Sequence, residues 1–244
     1  MTDSLPYVFV HGLFGSFCED ETFAQLQGPA TAPDLYGYGS EHDASVTFER
    51  QVEVLHEHVR HAATDGPVHL VAHSIGAVYA FAVADHSPDL VASVTSVEGN
   101  FTLKDAFWSR SIAELDEASA KLAINARIED PIGFLKGDGI ATTERNIASA
   151  ESALSFQPWR TVWESAKAII RVTGAAEFET MLHRVFDSTA VNLIAGERSG
   201  KGWDVPIWAR EQASTYTEVK NVGHMMMLES PVEFGKVIAG ITAN

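Results

Sequence analysis

Cysteine is almost absent: Cys18 is the only one in 244 residues, so no intrachain disulfide can form and nothing points to an oxidising compartment. Cations are also scarce, with 17 Lys and Arg against 33 Asp and Glu and a formal charge of −16. A surface of that sign repels phosphate backbones and anionic headgroups, which argues against a nucleic-acid partner. Solubility is the ordinary use of such a charge; a preference for cationic ligands is the other. No apolar run reaches the roughly 18 to 20 residues that cross a bilayer, and residues 1–6 lack the basic-then-apolar pattern of a secretory signal. These absences predict a cytoplasmic protein with neither nucleic acid nor membrane as partner. Metal-ligand spacing is missing too. His56, His58 and His61 share one predicted helix without the i, i+4 pairing of a zinc-binding helix, and read as solvated surface. Cys18 reads as a small buried hydrophobe.

The composition, 45% hydrophobic and 20% charged, is that of a folding chain, and its length suits one sizeable core. Tyr7 to Val10 is a short apolar run that stops at His11-Gly12, as a buried parallel strand does. A second strand is expected over Thr31 to Leu35, a helix over Thr47 to Ala62, a third strand over Val68 to Ala72 and a buried helix over Ile75 to Asp85. Leu90 to Val97 supplies the next strand. Strands alternating with helices predict a parallel sheet covered on both faces.

That rhythm then stops for about ninety residues, too long for a plain connection. The segment reads as helical: Ile112, Leu115, Ala118 and Leu122 form a stripe, and Pro158 to Val172 and Ala175 to Phe186 have helical spacing. The alternation resumes with a strand over Val191 to Ala195, a helix over about Val205 to Ala213, a strand near Tyr216 to Val219 and a helix over Pro231 to Ile241. The expected organisation is an α/β core, 1–99 and 187–244, with a helical cap over 100–186.

Three short motifs carry the chemistry. Ala72-His73-Ser74-Ile75-Gly76 falls between a predicted strand and a predicted helix, with small residues flanking the serine as a sharp strand-to-helix turn demands. Alone, it is also compatible with a serine capping a buried helix. His11-Gly12-Leu13-Phe14-Gly15 follows the first strand, and alone is also compatible with a plain glycine turn. Val222-Gly223-His224-Met225 follows the last strand. Its neutral imidazole can accept a serine proton near neutral pH and return it to a leaving group.

Together, in this order, the motifs resemble those of the α/β-hydrolase family, with Ala72 in place of the first glycine of G-x-S-x-G. The resemblance implies Ser74 as nucleophile, His224 as general base, and the Leu13 and Ile75 amides as oxyanion-hole donors. It covers nearly the whole chain outside the cap and implies a sheet of about six mainly parallel strands, the family's usual first two being absent. The aspartate nucleophile of the haloalkane dehalogenases and epoxide hydrolases with similar caps is replaced by Ser74.

The acid departs from the usual pattern. Most relatives carry an aspartate after the strand that corresponds to Val191 to Ala195, where this chain reads Gly196-Glu197-Arg198-Ser199. Serine cannot supply the charge that orients and stabilises an imidazolium. Glu98 is the expected acid: it ends the neighbouring strand, and carboxyl ends of adjacent parallel strands open onto one crevice. The competing expectation is a carboxylate satisfied by the Gly99-Asn100 turn. Glu197 is the reserve, with Asp204 behind it, and Asp34 reads as structural.

Phe107, Trp108, Phe156, Trp159 and Trp163 of the cap, with Met225, Met226 and Met227, are candidates for an apolar pocket or for plain packing. Trp108, Trp159, Trp163 and Met225 are the expected pocket residues. The resulting expectation is a serine hydrolase of small apolar esters or lactones that uses no cofactor and no metal. Thioester or carbon–carbon bond hydrolysis, hydroxynitrile-lyase-like proton transfer and a non-catalytic ligand receptor are the alternatives on the same scaffold.

Overall fold

The computed structural model describes residues 4–15, 17, 20–39 and 45–243. Cys18 lies outside them. Tyr7–Val10 forms β1, fully buried along its length, and Asp20–Phe23 is a single helical turn, α1. Strand β2 is only Ala30–Thr31, shorter than the Thr31 to Leu35 expected, because Pro33 has no N–H to give a ladder and the chain turns through Tyr36 to Gly39. Helix α2 (Phe48–Ala62) begins where the Thr47 side chain accepts from the Arg50 amide, and it buries Gln51, Leu55 and Val59.

β3 (Val68–His73) leads into α3 (Gly76–His86), and a 3-10 turn over Pro88–Leu90 leads into β4 (Val91–Val97). Small residues let α3 lie against the sheet, with Ala77, Val78, Tyr79, Ala80 and Phe81 all inaccessible. β5 (Ala190–Gly196) and β6 (Thr215–Val219) complete the sheet. Its order is β2-β1-β3-β4-β5-β6, and every pairing is parallel. The chain runs from β1 to one side and returns to the other at β3. The carboxyl ends of β1 and β3 therefore flank the switch point where open α/β sheets place their ligands.

Between β4 and β5 come α4 (Phe107–Ala113), α5 (Glu117–Ile128), α6 (Pro131–Gly137), α7 (Glu144–Ser155), α8 (Trp159–Thr173) and α9 (Ala176–Ser188). The expected stripe of Ile112, Leu115, Ala118 and Leu122 does not exist as one face. Asp116 starts a new helix by accepting from the Ser119 amide at 3.0 Å, which resets the phase. Leu122 is then 75% exposed, while Ala120 and Ile124 are buried. α9 packs on the sheet layer: Arg184 makes two bonds of 2.7 Å to Asp85 of α3, and Phe186 lies 6.3 Å from Phe81.

After β5, α10 (Ile207–Gln212) precedes β6, then α11 (Met226–Glu229) and α12 (Pro231–Thr242) close the chain against α1. Among the described residues no helix is long and apolar enough to cross a membrane.

Candidate active site

Ser74 sits between β3 and α3 with φ 53°, a left-handed conformation that a serine adopts only when its surroundings enforce it. The turn is held by the Ser74 amide donating to Val97 O at 3.1 Å and by its carbonyl accepting from Ala77 at 3.1 Å. Gly76 must be glycine: a Cβ there would lie 2.4 Å from His11 O and 2.7 Å from Val10 O. Ala72 is an ordinary buried strand residue paired with Val10 and Ser96, so the alanine fits without moving the turn. Ile75 precedes the first residue of α3, where helix amides lack intrahelical partners. Leu13 follows Gly12 on the same cavity wall as Ser74. A Cβ on Gly12 would come within 3.1 Å of Ser74 Cβ and 2.8 Å of His73 Nδ1.

Glu98, the residue after β4, also has positive φ, 41°, and is 7% exposed. Its Oε2 accepts from His224 Nδ1 at 2.8 Å, and its Oε1 accepts from the Gly196 amide at 2.8 Å and Ser199 Oγ at 2.6 Å. The carboxylate is thus satisfied by the histidine, the end of β5 and the loop after it, not by the Gly99-Asn100 turn. Burial works against its charge, but these donors outweigh burial and hold the carboxyl below the usual range. For His224, burial likewise opposes the charge, and Glu98 outweighs it and raises the imidazole above its ordinary value. With Nδ1 committed to Glu98, Nε2 is the ring nitrogen left for other chemistry, and His224 and Ser74 line the same cavity.

The histidine loop is clamped from two sides. Arg198 binds Glu229 at 2.8 Å, Asp138 O at 3.1 Å and Asn221 O, and the Gly223 amide donates to Glu229 at 3.0 Å. His73 is buried beneath it, its ring 4.4 Å from that of His224 and its Nε2 3.1 Å from His224 O. Burial first, then the neighbouring His224, keep His73 neutral. Glu197 lies apart from this centre, bound to Lys220 and the Asn221 amide, and Asp204 accepts from Thr102.

A model of the alpha/beta hydrolase family matches residues 7–237. The chain belongs to the alpha/beta hydrolase family. Solved structures of the same fold include a haloalkane dehalogenase from Bradyrhizobium elkanii, 20% identical, covering 100% of this chain and 91% of that one, with TM-score 0.75. An esterase from Thermogutta terrifontis is 16% identical over 98% and 89% of the two chains, with TM-score 0.74. A carboxylesterase from Nitrososphaera gargenis is 15% identical over 98% and 90%, with TM-score 0.70. No curated protein matches the sequence.

In this hydrolase-family chain, the cavity beside Ser74 encloses about 540 Å³ and is walled by Leu13, Phe14, Trp108, Phe134, Trp203 and Met225. Trp108 and Met225 are thus placed on its wall. Trp159 and Trp163 are not: their rings lie 6.2 Å apart and tilted by 33° on α8, under Lys121, Arg160 and Lys167. Met226 and Met227 are buried away from it, and Phe156 packs on His11 and Tyr38. Arg127, Asp138, Arg198 and Ser199 also line the cavity; Arg198 and Ser199 belong to the stretch where relatives carry the acid, whereas Arg127 and Asp138, polar residues outside any motif, gave no signal in the sequence. Among the described residues no His, Cys, Asp and Glu cluster could hold a metal ion.

Proposed function

We propose that this chain is a serine hydrolase that cleaves a carboxylic ester or lactone of a small substrate through an acyl-serine intermediate. The observation that carries this reading is Glu98 fixing His224 by Nδ1 while Ser74 stands on a strained turn in the same cavity. Ser74 Oγ attacks the carbonyl carbon as its proton passes to His224 Nε2, and the Leu13 and Ile75 amides receive the developing oxyanion. The C–O bond to the leaving group breaks, and His224 gives the alcohol its proton. Water then attacks the acyl-serine, again through His224, and releases the acid and free Ser74. The Glu98 charge keeps the imidazolium stable between these steps.

Dehalogenation fits less well. A carboxylate that displaces halide forms an ester that water can open, whereas serine would form an alkyl ether, which water leaves intact. A carbonyl substrate is the one that lets Ser74 turn over. This chemistry needs no cofactor. In this reading residues 100–186 form the lid, with α9 its attachment to the core, and the lid sheds water from the site.

A panel of chromogenic esters and lactones of increasing acyl size, run with Ser74→Ala beside the parent, tests the proposal. Turnover that vanishes in the variant, with a stoichiometric acyl adduct on Ser74, supports it. Turnover that survives removes Ser74 as nucleophile; no turnover of any ester or lactone in either protein favours proton-transfer chemistry of the lyase kind.

A further inference from the structure

The cavity contains a cation that the triad does not use. Arg127, on α5, lines it with Ser74, and its guanidinium carbon lies 4.9 Å from the Phe134 ring centre, 5.0 Å from Trp108 and 5.6 Å from Phe14. Its Nε is buried without a hydrogen-bond partner, and among the described residues no carboxylate comes within ion-pair distance of it. The other cavity arginine, Arg198, by contrast donates to Glu229, Asn221 O and Asp138 O.

Ring faces offset part of the cost of withdrawing a guanidinium from water, but they cannot accept its in-plane N–H bonds. Those donors form a planar fork that matches the two oxygens of a carboxylate. The acids nearby compete weakly. Asp138 attracts Arg127 only at longer range, and burial pushes its own carboxyl up. Asp105 is already held by the Phe101 and Thr102 amides and by Asn100, and burial pushes it up to about 6. The chain's charge of −16 gives an anion no long-range attraction, so recognition here has to come from direct contact with the half-buried guanidinium.

We propose that Arg127 binds a carboxylate of the substrate, so that the ester or lactone carries an acidic group remote from the scissile carbonyl, as a dicarboxylic monoester does. This rests on the serine-hydrolase reading above, and it gives the expected apolar pocket a cationic contact point at Arg127.

The test compares 4-nitrophenyl monoesters of succinate, glutarate and adipate with the uncharged butanoate, pentanoate and hexanoate esters, in the parent, Arg127→Met and Arg127→Lys. For at least one chain length the acid monoester should exceed its uncharged partner in kcat/KM by about tenfold. Arg127→Met should abolish that ratio and Arg127→Lys should restore part of it. A ratio near one in the parent, or a ratio unchanged in Arg127→Met while both ester classes slow together, overturns the proposal.

Binding of succinate, glutarate and adipate dianions to the Ser74→Ala protein, followed by calorimetry, separates the two readings. Binding that weakens about tenfold or more on adding Arg127→Met supports the carboxylate site even if neither ester class is hydrolysed, in which case only the hydrolase reading fails. Binding of none of the three, or binding indifferent to Arg127, overturns the carboxylate site whatever the esterase assay shows.

Discussion

Ser199 donates to Glu98 at 2.6 Å, so the serine in the loop after β5 holds the carboxylate that ends β4. By the family resemblance, the acid usually belongs in that loop. In the proposed mechanism the acid is Glu98, one strand inward, and it accepts from two donors, the amide of Gly196 at the end of β5 and Ser199 Oγ in the loop that follows. Glu98→Gln should lower kcat by about 10⁴-fold, because an amide can fix neither the tautomer nor the charge of the imidazole. Glu197→Gln should leave kcat unchanged, since Glu197 serves Lys220 and Asn221. Ser199→Ala should cost about threefold to tenfold in kcat at unchanged KM, the loss of one charge-assisted bond in the support of His224. Steady-state kinetics of the three variants on one ester check this; a silent Glu98→Gln would remove the acid from this strand.

Two glycines near Ser74 should respond differently. Gly76→Ala drives a Cβ into the Val10 and His11 carbonyls, which are fixed backbone, so a loss of about 2 to 4 kcal/mol in stability is expected in urea unfolding. Gly12→Ala instead presses on the His73 ring and Ser74 Cβ. It should keep most of the stability and lose most of the turnover, because side chains can yield but the nucleophile then moves. Equal destabilisation in both would show that the Gly12 approach is a packing contact without a catalytic consequence.

The three motif loops were legible because their constraints are local: small residues beside Ser74, glycines after β1, and a histidine following β6. Glu98 was legible through its cost, an acid placed directly after an apolar strand. The cavity wall was not. Helical spacing shows which face of α8 is apolar but not what that face meets, so Trp159 and Trp163 passed as pocket residues. Arg127 and Asp138 reach the cavity only through the docking of α5 and α6 over the sheet, which no local pattern encodes. The restart at Asp116 misplaced the α5 stripe for a similar reason: a cap between two helices breaks the phase on which periodicity depends.

The wall assignment can be checked with tryptophan variants. Trp108→Ala opens the cavity beside Phe14, 4.8 Å away, and should shift the acyl-length optimum and raise KM. Trp163→Ala removes a residue that faces Lys167 and Trp159, and should leave KM unchanged while costing some stability. An acyl-length profile measured for both variants decides it. A KM effect confined to Trp163→Ala would place the substrate elsewhere.

The Glu98 and His224 pair sets opposite trends for activity and stability. The proposed mechanism needs a neutral imidazole, and His224 is raised above the ordinary histidine value of about 6.5, so kcat/KM should rise with pH through an inflection above about 6.5. For stability the signs run the other way. A raised histidine contributes fully below its unfolded value and loses that contribution as pH climbs through the folded value. A lowered glutamate contributes above about 4.3 and loses its contribution as pH falls through the folded value. The pair therefore stabilises the fold most between about pH 4.3 and 6.5, below the range where the enzyme should work best. Replacing Glu98 by Gln should carry the kinetic inflection downward, because burial of His224 then acts without its counter-charge, and should flatten the stability maximum over the same interval. Paired pH profiles of kcat/KM and of the urea midpoint test this; an inflection that stays in place in Glu98→Gln would show that another group, such as Asp138, holds the imidazolium.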